Sequence, residues 1–265
     1  MEYSECKTID IHFDKGAVQL ILNRPEKRNA LNRKMISEII EIIEILSVGT
    51  EYRVLIIEGA NDYFCSGADL NWMKSGTKES FDNNLNDALL FEELYHQLTS
   101  FNKPVISVVK GGANGGALGL LACSDIVIAD EQATFSLPEV KLGLIPAMVA
   151  PYIVKKIGIS QAGKLMLTGE PISAQEAQNS GLVHVVTSSK NIKKVKDEYC
   201  QKIIQNAPAA LSMTKNLLNN IANNHLANEN LIIESANLIA NARTSNEGQE
   251  GVNAFLEKRK PFWND

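Results

Sequence analysis

A run of glycines between two apolar segments constrains this 265-residue chain more than any other feature of its sequence. Glycine pairs at positions 111–112 and 115–116 separate the apolar run 104–109 from the helix-like run 117–123. Glycine lets the backbone approach a ligand where a Cβ would clash. A turn that opens into a helix also presents free N–H groups at the positive end of the helix dipole. The run therefore predicts a loop that binds negative charge developing on an oxygen atom.

Short apolar runs typical of strands alternate with amphipathic segments typical of helices up to about residue 187. From residue 191 onward only helical patterns remain. This order is typical of an α/β domain followed by a helical extension. We expect an α/β core at residues 1–190 and a helical region at residues 191–265. The runs with strand character are residues 9–13, 17–22, 53–58, 104–109, 125–129, 134–143 (a strand with its loop) and 183–186.

Composition and charge argue against several classes of protein. Lys and Arg number 26 while Asp and Glu number 31, and the resulting net charge of −5 disfavours nucleic-acid binding. The four cysteines show no CxxC spacing, which favours reduced thiols, and the four histidines form no HExxH pair that would indicate a metal site. No apolar run reaches the ~18–20 residues that span a bilayer, and the N-terminus lacks the pattern of an export signal. We therefore expect a cytoplasmic protein that uses no metal and does not bind membranes.

Two loops considered together indicate a more specific binding site than the glycine run does alone. The glycines fit neither GxGxxG nor GxxxxGK[ST], and the chain has no GxSxG, so dinucleotide, ATP and serine-hydrolase sites have no support. Residues 64–70 and 113–117 each follow a strand-like run and place small residues before a helix. One backbone N–H from each loop, aimed at a single oxygen, would form an oxyanion hole. Tight packing of helices against strands would explain the same glycines, so both explanations stay open at this point.

Six motifs occur in an order that is specific, although each motif is weak alone. They are LNRPEKRNAL at 22–31, FCSGADL at 64–70, the glycine run with CSD at 123–125, FSLPE at 135–139, the stretch 167–183 that begins LTGE and ends GLV, and AFLEKR at 254–259. Together they resemble the crotonase (enoyl-CoA hydratase/isomerase) superfamily nearly end to end. The resemblance implies a crotonase-like ββα spiral core for CoA binding and catalysis at residues 1–190. It also implies a C-terminal helical trimerisation region at residues 191–265.

The resemblance further implies roles for individual residues. The N–H groups of Ala68 and Gly116 would hold the thioester oxygen of an acyl-CoA substrate, and Glu139 would be the catalytic acid and base. Since apolar residues flank Glu139, desolvation is expected to raise its pKa toward a useful range. No cofactor is implied, because CoA arrives as part of the substrate. The implied CoA-binding residues are Lys27, Arg28, Ala30, Ser66, Ala68, Asp69, Leu70, Gly116 and Lys258, the last reaching the CoA of a neighbouring subunit.

One position departs from the pattern of the two-glutamate hydratases. Those enzymes carry their first glutamate three residues after the oxyanion glycine, where this chain has Gly119. Hydration takes one proton from water and delivers one to Cα, and two carboxylates can divide these two transfers between them. A 3,2-trans-enoyl-CoA isomerase needs only one carboxylate. The sequence therefore leaves open a hydratase and an isomerase. A catalytically poor crotonase-fold binding protein is a third alternative, which the net charge disfavours for an RNA-associated role.

Three short segments of the sequence resemble one subfamily in particular. Residues 67–74, 83–88 and 247–259 are most similar to bacterial methylglutaconyl-CoA hydratases of leucine and isoprenoid catabolism, which also have glycine at this position. We therefore predict a hydro-lyase acting on a branched 2-enoyl-CoA, with a carboxylated 3-methylglutaconyl-like group as one candidate. Apolar positions in the helical region, among them Leu231, Ile232 and Leu238, predict a homotrimer or a hexamer built as a dimer of trimers. Candidates for the acyl pocket are Trp72, Met73, Asn83, Asp87, Met148 and Val149.

Overall fold

The computed structural model describes residues 6–223 and 229–264. Strands and helices alternate up to residue 187, and helices follow in the remainder of these ranges. The strands are β1 (Ile9–Asp14), β2 (Ala17–Leu22), β3 (Val54–Gly59), β4 (Val105–Val109), β5 (Gly112–Asn114), β6 (Ile126–Asp130), β7 (Thr134–Ser136), β8 (Ile172–Ser173) and β9 (Val185–Thr187). The helices are α1 (Arg33–Val48), α2 (Leu70–Gly76), α3 (Phe81–Ser100), α4 (Ala117–Ala122), α5 (Ala150–Thr168), α6 (Ala174–Ser180), α7 (Ile192–Ile204), α8 (Pro208–Asn223), α9 (Glu229–Thr244) and α10 (Asn246–Glu257).

The main sheet has six strands in the order β1–β2–β3–β4–β6–β9. β1 and β2 form an antiparallel hairpin, and each later pairing in this sheet is parallel. Parallel strands covered on both faces have continuous apolar sequences, and all five residues of β4 are buried. One face packs into the large core that contains α1, while the other face packs against α7. This arrangement confirms the predicted mixed α/β fold.

A second, smaller sheet includes a strand from the segment that was predicted to be only a loop. Strand β5 lies within the glycine run and pairs in parallel with β7, and β8 completes this three-stranded sheet. Gly111 and Gly115, which flank β5, both have left-handed backbone angles, with φ of +64° and +53°. Such angles favour glycine, so the two glycine pairs turn the chain into and out of a short strand. The expectation of a simple glycine loop was therefore wrong at residues 112–114.

The helical region begins with a helix that belongs to the packing of the main sheet. Helix α7 places Ile192, Cys200 and Ile203 against one sheet face, and its Lys196 ammonium lies 3.2 Å from a Glu58 carboxylate oxygen on β3. Of the three apolar positions singled out in this region, Ile232 is 64% exposed and Leu238 is half-buried. The side chain of Leu231 lies outside the described residues. The division at residue 190 stays a prediction, and no helix among the residues described is long and apolar enough to cross a bilayer.

Candidate active site

The two loops that sequence analysis paired are joined by their backbones. The Cys65 N–H donates to the Gly112 carbonyl at 3.2 Å, and the Asn114 N–H donates to the Cys65 carbonyl at 3.1 Å. Gly67 has φ of +92°, and a Cβ there would lie 2.6 Å from the Asn114 carbonyl oxygen. No side chain fits between backbones at this distance. The glycine at position 67 is therefore required by the close approach of the two loops.

The backbone around Ala68 leaves one N–H group available. The Leu31 N–H donates to the Gly67 carbonyl and the Asp69 N–H donates to the Leu31 carbonyl, each at 2.8 Å. These two bonds fix the residues on either side of Ala68. In the part of the chain that the structure describes, the Ala68 N–H itself has no acceptor. It is held rigidly and remains free to donate to a ligand.

The backbone around Gly116 also leaves one N–H group available. The Gly115 N–H donates to the Ser136 carbonyl on β7 at 2.9 Å, which fixes the preceding residue. Gly116 is the N-cap of α4, and its N–H has no acceptor within residues 6–223 and 229–264. The second donor is therefore also fixed and unused. Two unused N–H groups on adjoining loops are the kind of donors that an oxyanion hole uses, and their role in holding an oxygen stays a prediction.

Glu139 lies beside these loops, in a 3₁₀ turn (Pro138–Leu142) that follows β7. A Cβ on Gly115 would lie 3.0 Å from its Oε1 atom, so the carboxylate packs directly against the glycine loop. Its Oε2 atom is buried and has no hydrogen-bond partner among the described residues. Burial raises the pKa of Glu139, and its own backbone N–H offsets only part of that effect. A carboxyl group with raised proton affinity thus faces the glycine loop that carries the second free N–H group.

A strip of predicted CoA-binding residues runs beside the first of the two loops. The Ser66 N–H donates to the Arg28 carbonyl at 3.0 Å, and the Ser66 hydroxyl donates to the Lys27 carbonyl at 3.2 Å. The Arg28 guanidinium lies 5.5 Å from the centre of the Tyr63 ring. Leu70 follows with 76% of its surface exposed. The structure thus brings these residues together at the edge of the site, and their role in binding CoA stays a prediction.

Arg24 has a structural role in the loop that precedes α1. Its guanidinium donates to the Ala30 carbonyl at 2.6 Å and to the Asp69 carboxylate at 2.7 Å. That carboxylate also caps α2 by accepting from the N–H groups of Asn71 and Trp72. Burial alone would raise the pKa of Asp69, but the bonds from Arg24 and the backbone outweigh it and lower the pKa. The side chain of Asp69 is therefore engaged within the protein, and only its remaining surface is available to a ligand.

An apolar cavity of about 700 Å³ opens next to Ala68. The indole of Trp72 forms one wall, stacked on the Phe91 ring at 5.5 Å between centroids. Of the predicted pocket residues, Val149 is instead buried in the core, and Asn83 is exposed on the outside of α3. The expectation was wrong for these two because Val149 ends the loop at the start of α5, and the α3 face toward the cavity begins at Asn84. The apolar lining residues are Trp72, Met73, Phe91, Leu142, Leu144 and Met148.

Charged residues contribute to the same cavity. Asp87, predicted as a polar pocket residue, accepts from the Trp72 indole N–H at 2.6 Å and from the Arg33 guanidinium at 2.5 Å. Its negative charge is therefore compensated in part, because Arg33 also pairs with Glu79 at 3.2 Å. Lys74 also lines the cavity, and its ammonium has no ion pair in the part of the chain that the structure describes. The cavity thus combines apolar walls with one uncommitted positive charge.

Sequence reasoning missed Tyr95, a residue of α3 that is fully buried beside Gly119. A Cβ added to Gly119 would lie 2.2 Å from the Tyr95 ring. The only signal in the sequence is the spacing of Phe91 and Tyr95, four residues apart on one helix face. That spacing indicates an inward-facing aromatic pair, but it does not indicate what the pair contacts.

Lys258 lies at the end of α10 as its C-cap, with a left-handed φ of +56°. It is exposed and does not line the cavity. Its predicted contact with the CoA of a neighbouring subunit stays a prediction.

Comparison with known proteins identifies the family to which this fold belongs. Residues 12–265 match the family described as enoyl-CoA hydratase/isomerase. The chain belongs to this family. The 2,3-dehydroadipyl-CoA hydratase of Escherichia coli is 34% identical over 243 residues, which cover 91% of this chain and 92% of that protein. This membership confirms the resemblance to the crotonase superfamily.

Solved structures of the family share the fold over almost the whole chain. An enoyl-CoA hydratase from Shewanella pealeana is 37% identical with a TM-score of 0.94, covering 98% of this chain and 97% of that one. An enoyl-CoA hydratase/isomerase from Marinobacter aquaeolei is 32% identical with a TM-score of 0.92, covering 98% and 100%. The chain is therefore a crotonase-fold enzyme with hydratase/isomerase activity on acyl-CoA thioesters, and the alternative of a catalytically poor binding protein is not retained. The cytoplasmic location stays a prediction.

Proposed function

We propose that this crotonase-fold enzyme hydrates a branched 2-enoyl-CoA with Glu139 as its one catalytic carboxylate. The observation that carries the proposal is the position of the Glu139 carboxyl, packed against Gly115 of the glycine loop. A base in that position lies beside the residue that precedes Gly116 and is partly desolvated. General acid and base catalysis is most effective when the pKa of the group lies near the working pH, and burial shifts the Glu139 pKa in that direction.

The proposed reaction has two steps. Glu139 takes a proton from water while the water oxygen forms a bond to Cβ, and the electrons of the double bond move to the thioester oxygen. The N–H groups of Ala68 and Gly116 stabilise the resulting enolate, as an oxyanion hole does. Glu139 then returns the proton to Cα, the enolate collapses to the thioester, and the net change is addition of one water molecule. The test is Glu139→Gln, developed in the Discussion.

We further propose that the acyl group carries a second carboxylate and is similar to a 3-methylglutaconyl group. The apolar walls suit a branched chain, and the unpaired ammonium of Lys74 suits a negative charge at its far end. The ion pair with Arg33, which Asp87 shares with Glu79, offsets part of the Asp87 charge that would oppose that end. A partly exposed ion pair is worth up to about 1 kcal/mol, or roughly a 5-fold change in affinity.

The substrate is tested by measuring KM for 3-methylglutaconyl-CoA and for the uncharged 3-methylcrotonyl-CoA. In Lys74→Gln, KM for the carboxylated thioester is expected to rise about 5-fold while KM for the uncharged one is unchanged. Lys78→Gln, on the exposed surface beyond α2, is the control and should affect neither. An equal change for both thioesters in Lys74→Gln would reject a carboxylated acyl group.

A 3,2-trans-enoyl-CoA isomerase is the second candidate. It is favoured by Gly119, since one carboxylate suffices to move a proton between two carbons of a dienolate. The two reactions are separated by supplying a 3-enoyl-CoA and 3-methylglutaconyl-CoA side by side. Turnover of the first without the second would replace the hydratase by the isomerase.

We propose a homotrimer or a hexamer as the working assembly. The support is a set of exposed apolar side chains on the C-terminal helices, more than a solvated surface requires. Light scattering coupled to gel filtration should give the mass of three or six chains, and a monomer would reject the proposal. The exposed side chains include Leu218, Ile232, Ile233, Phe255 and Leu256.

A further inference from the structure

The position of the missing first glutamate is filled by an aromatic ring. A Cβ on Gly119 would lie 2.2 Å from Cζ, 2.3 Å from Cε1 and 2.7 Å from the hydroxyl oxygen of Tyr95. Real Cβ atoms do not approach other atoms so closely. While Tyr95 keeps this position, no side chain at residue 119 can enter the site.

The ring cannot move aside easily. Tyr95 is fully buried, with its ring 5.2 Å from the Tyr152 ring and 6.1 Å from the Phe91 ring. Phe91 is in turn stacked on Trp72 in the cavity wall. Protein interiors are close-packed, so a displaced ring would have to displace its neighbours. The aromatic cluster therefore connects the cavity wall to the residue beside Gly119.

The hydroxyl of the same residue contacts the oxyanion loop. It donates a hydrogen bond of 2.7 Å to the carbonyl oxygen of Gly116, which also accepts from the Gly119 N–H at 3.1 Å. Burial raises the pKa of Tyr95 well above its ordinary value, so the hydroxyl stays a donor. Glycine has the largest backbone freedom of any residue. The bond from Tyr95 holds the peptide that follows Gly116, and through the Gly116 Cα it limits the rotation of the preceding peptide, which carries the free N–H.

We propose that Tyr95 is a positioning residue with two effects on the site. Its hydroxyl fixes Gly116 and so aligns the second oxyanion donor, and its ring excludes a second carboxylate, which leaves Glu139 to act alone. This inference rests on one part of the proposed function, namely the enolate that the two N–H donors stabilise. It does not depend on which acyl group the cavity accepts.

The hydroxyl is tested with Tyr95→Phe, which keeps the ring and deletes the bond to Gly116. Removing an oxyanion donor outright costs roughly 10²–10³ in kcat, so loosening one is expected to cost about 10-fold, with KM unchanged. Affinity for the enolate of acetoacetyl-CoA, followed by its ultraviolet absorbance, should fall by a similar factor, while affinity for saturated butyryl-CoA stays the same. Tyr152→Phe is the matched control, because its hydroxyl makes no bond to Gly116, and it should change none of these quantities.

The two affinities distinguish a role of the hydroxyl in aligning the Gly116 N–H from a role only in the stability of the fold. Equal losses of affinity for the enolate and for butyryl-CoA, or unchanged enolate affinity, would overturn the role of the hydroxyl. If the wild-type enzyme turned over none of the enoyl-CoA thioesters, the proposed function would fail, yet the two affinities would still test Tyr95.

The ring is tested with Gly119→Ala and the control Gly163→Ala. Both glycines lie within helices, but a Cβ at Gly163 meets nothing within 4 Å. Gly119→Ala is expected to lower the melting temperature by more than 10 °C or to prevent folding, and Gly163→Ala to leave it unchanged or raise it. A Gly119→Ala protein with the wild-type melting temperature would show that the ring does not exclude side chains from this position.

Discussion

Replacing Glu139 by glutamine is expected to lower the catalytic rate but to raise the stability of the folded protein. One substitution therefore tests the two effects separately. Glutamine keeps the size of the side chain and removes its ability to exchange a proton. General acid and base catalysis by one group typically contributes 10²–10⁴-fold, and Glu139 is proposed to act in both steps. We therefore expect kcat to fall by at least about 10³-fold, with the affinity for a saturated acyl-CoA unchanged.

The same substitution is expected to stabilise the folded protein at neutral pH. Burial raises the pKa of Glu139 above its ordinary 4.5, so between these two pKa values the folded state binds more protons than the unfolded state. Stability then falls as pH rises through this window, and the carboxylate destabilises the fold above it. Glutamine keeps a polar atom at the unpartnered position but carries no charge, so the substitution relieves only the cost of burying the carboxylate charge. Because this carboxyl is partly solvent-accessible, that relief is about 1 kcal/mol, or a melting temperature roughly 2–4 °C higher.

Two measurements check this reasoning. Hydration is followed by the loss of ultraviolet absorbance of the conjugated thioester, and melting temperatures are compared at pH 7 and below pH 4.5, where the gain should vanish. In the wild-type enzyme, kcat/KM should decline on the acid side at a pKa above 4.5. Glu131→Gln, an exposed glutamate after β6, is the control for both assays. Retained turnover in Glu139→Gln, or a loss of stability at pH 7, would refute the assignment.

Three other substitutions probe the framework of the site. Arg24→Gln leaves the buried Asp69 carboxylate without its ion pair, and the free energy of unfolding in urea should drop by about 3 kcal/mol. Glu38→Gln weakens a buried acceptor that holds the backbone N–H groups of Lys7 and Thr8; it should cost about 2 kcal/mol and speed amide exchange at these residues. Asp87→Asn removes the charge that compensates a nearby guanidinium, so KM for 3-methylglutaconyl-CoA should fall a few-fold while KM for 3-methylcrotonyl-CoA does not. Unchanged KM values would count against charge compensation in the cavity.

Local sequence patterns predict most of the elements, because they depend on contacts within a few residues. The second strand was expected at residues 17–22 and is found there, and the apolar run at 104–109 became a fully buried parallel strand. The pairing of the loops at 64–70 and 113–117 was also anticipated, since both follow neighbouring parallel strands. What local patterns and the resemblance provide together is the family and the positions of Ala68, Gly116 and Glu139.

The remaining features depend on contacts between distant segments. Strand β5 exists because Gly112 pairs with Thr134, 22 residues away, and no periodicity in the glycine run indicates this. The effect of Gly119 depends on Tyr95, which reaches it from another helix. Likewise, which of Asn83, Asn84 and Asp87 face the cavity depends on how α3 is rotated against its neighbours. The spacing of residues along one segment does not predict such packing.

The backbone pairing of Cys65 with residues 112–114 also has a consequence for how this enzyme can change. The two free N–H groups belong to the main chain and are spaced mainly by main-chain hydrogen bonds, so substitutions that spare the Tyr95 hydroxyl leave them in place as long as the loops still pack. The cavity, by contrast, is built from side chains of α2, α3 and the segment around Leu144 and Met148. Chemistry and substrate choice are therefore encoded in separate parts of the polymer. New acyl groups can be selected by exchanging the cavity-lining side chains of α2 and α3, with Tyr95 retained, while the proposed enolate site is inherited unchanged.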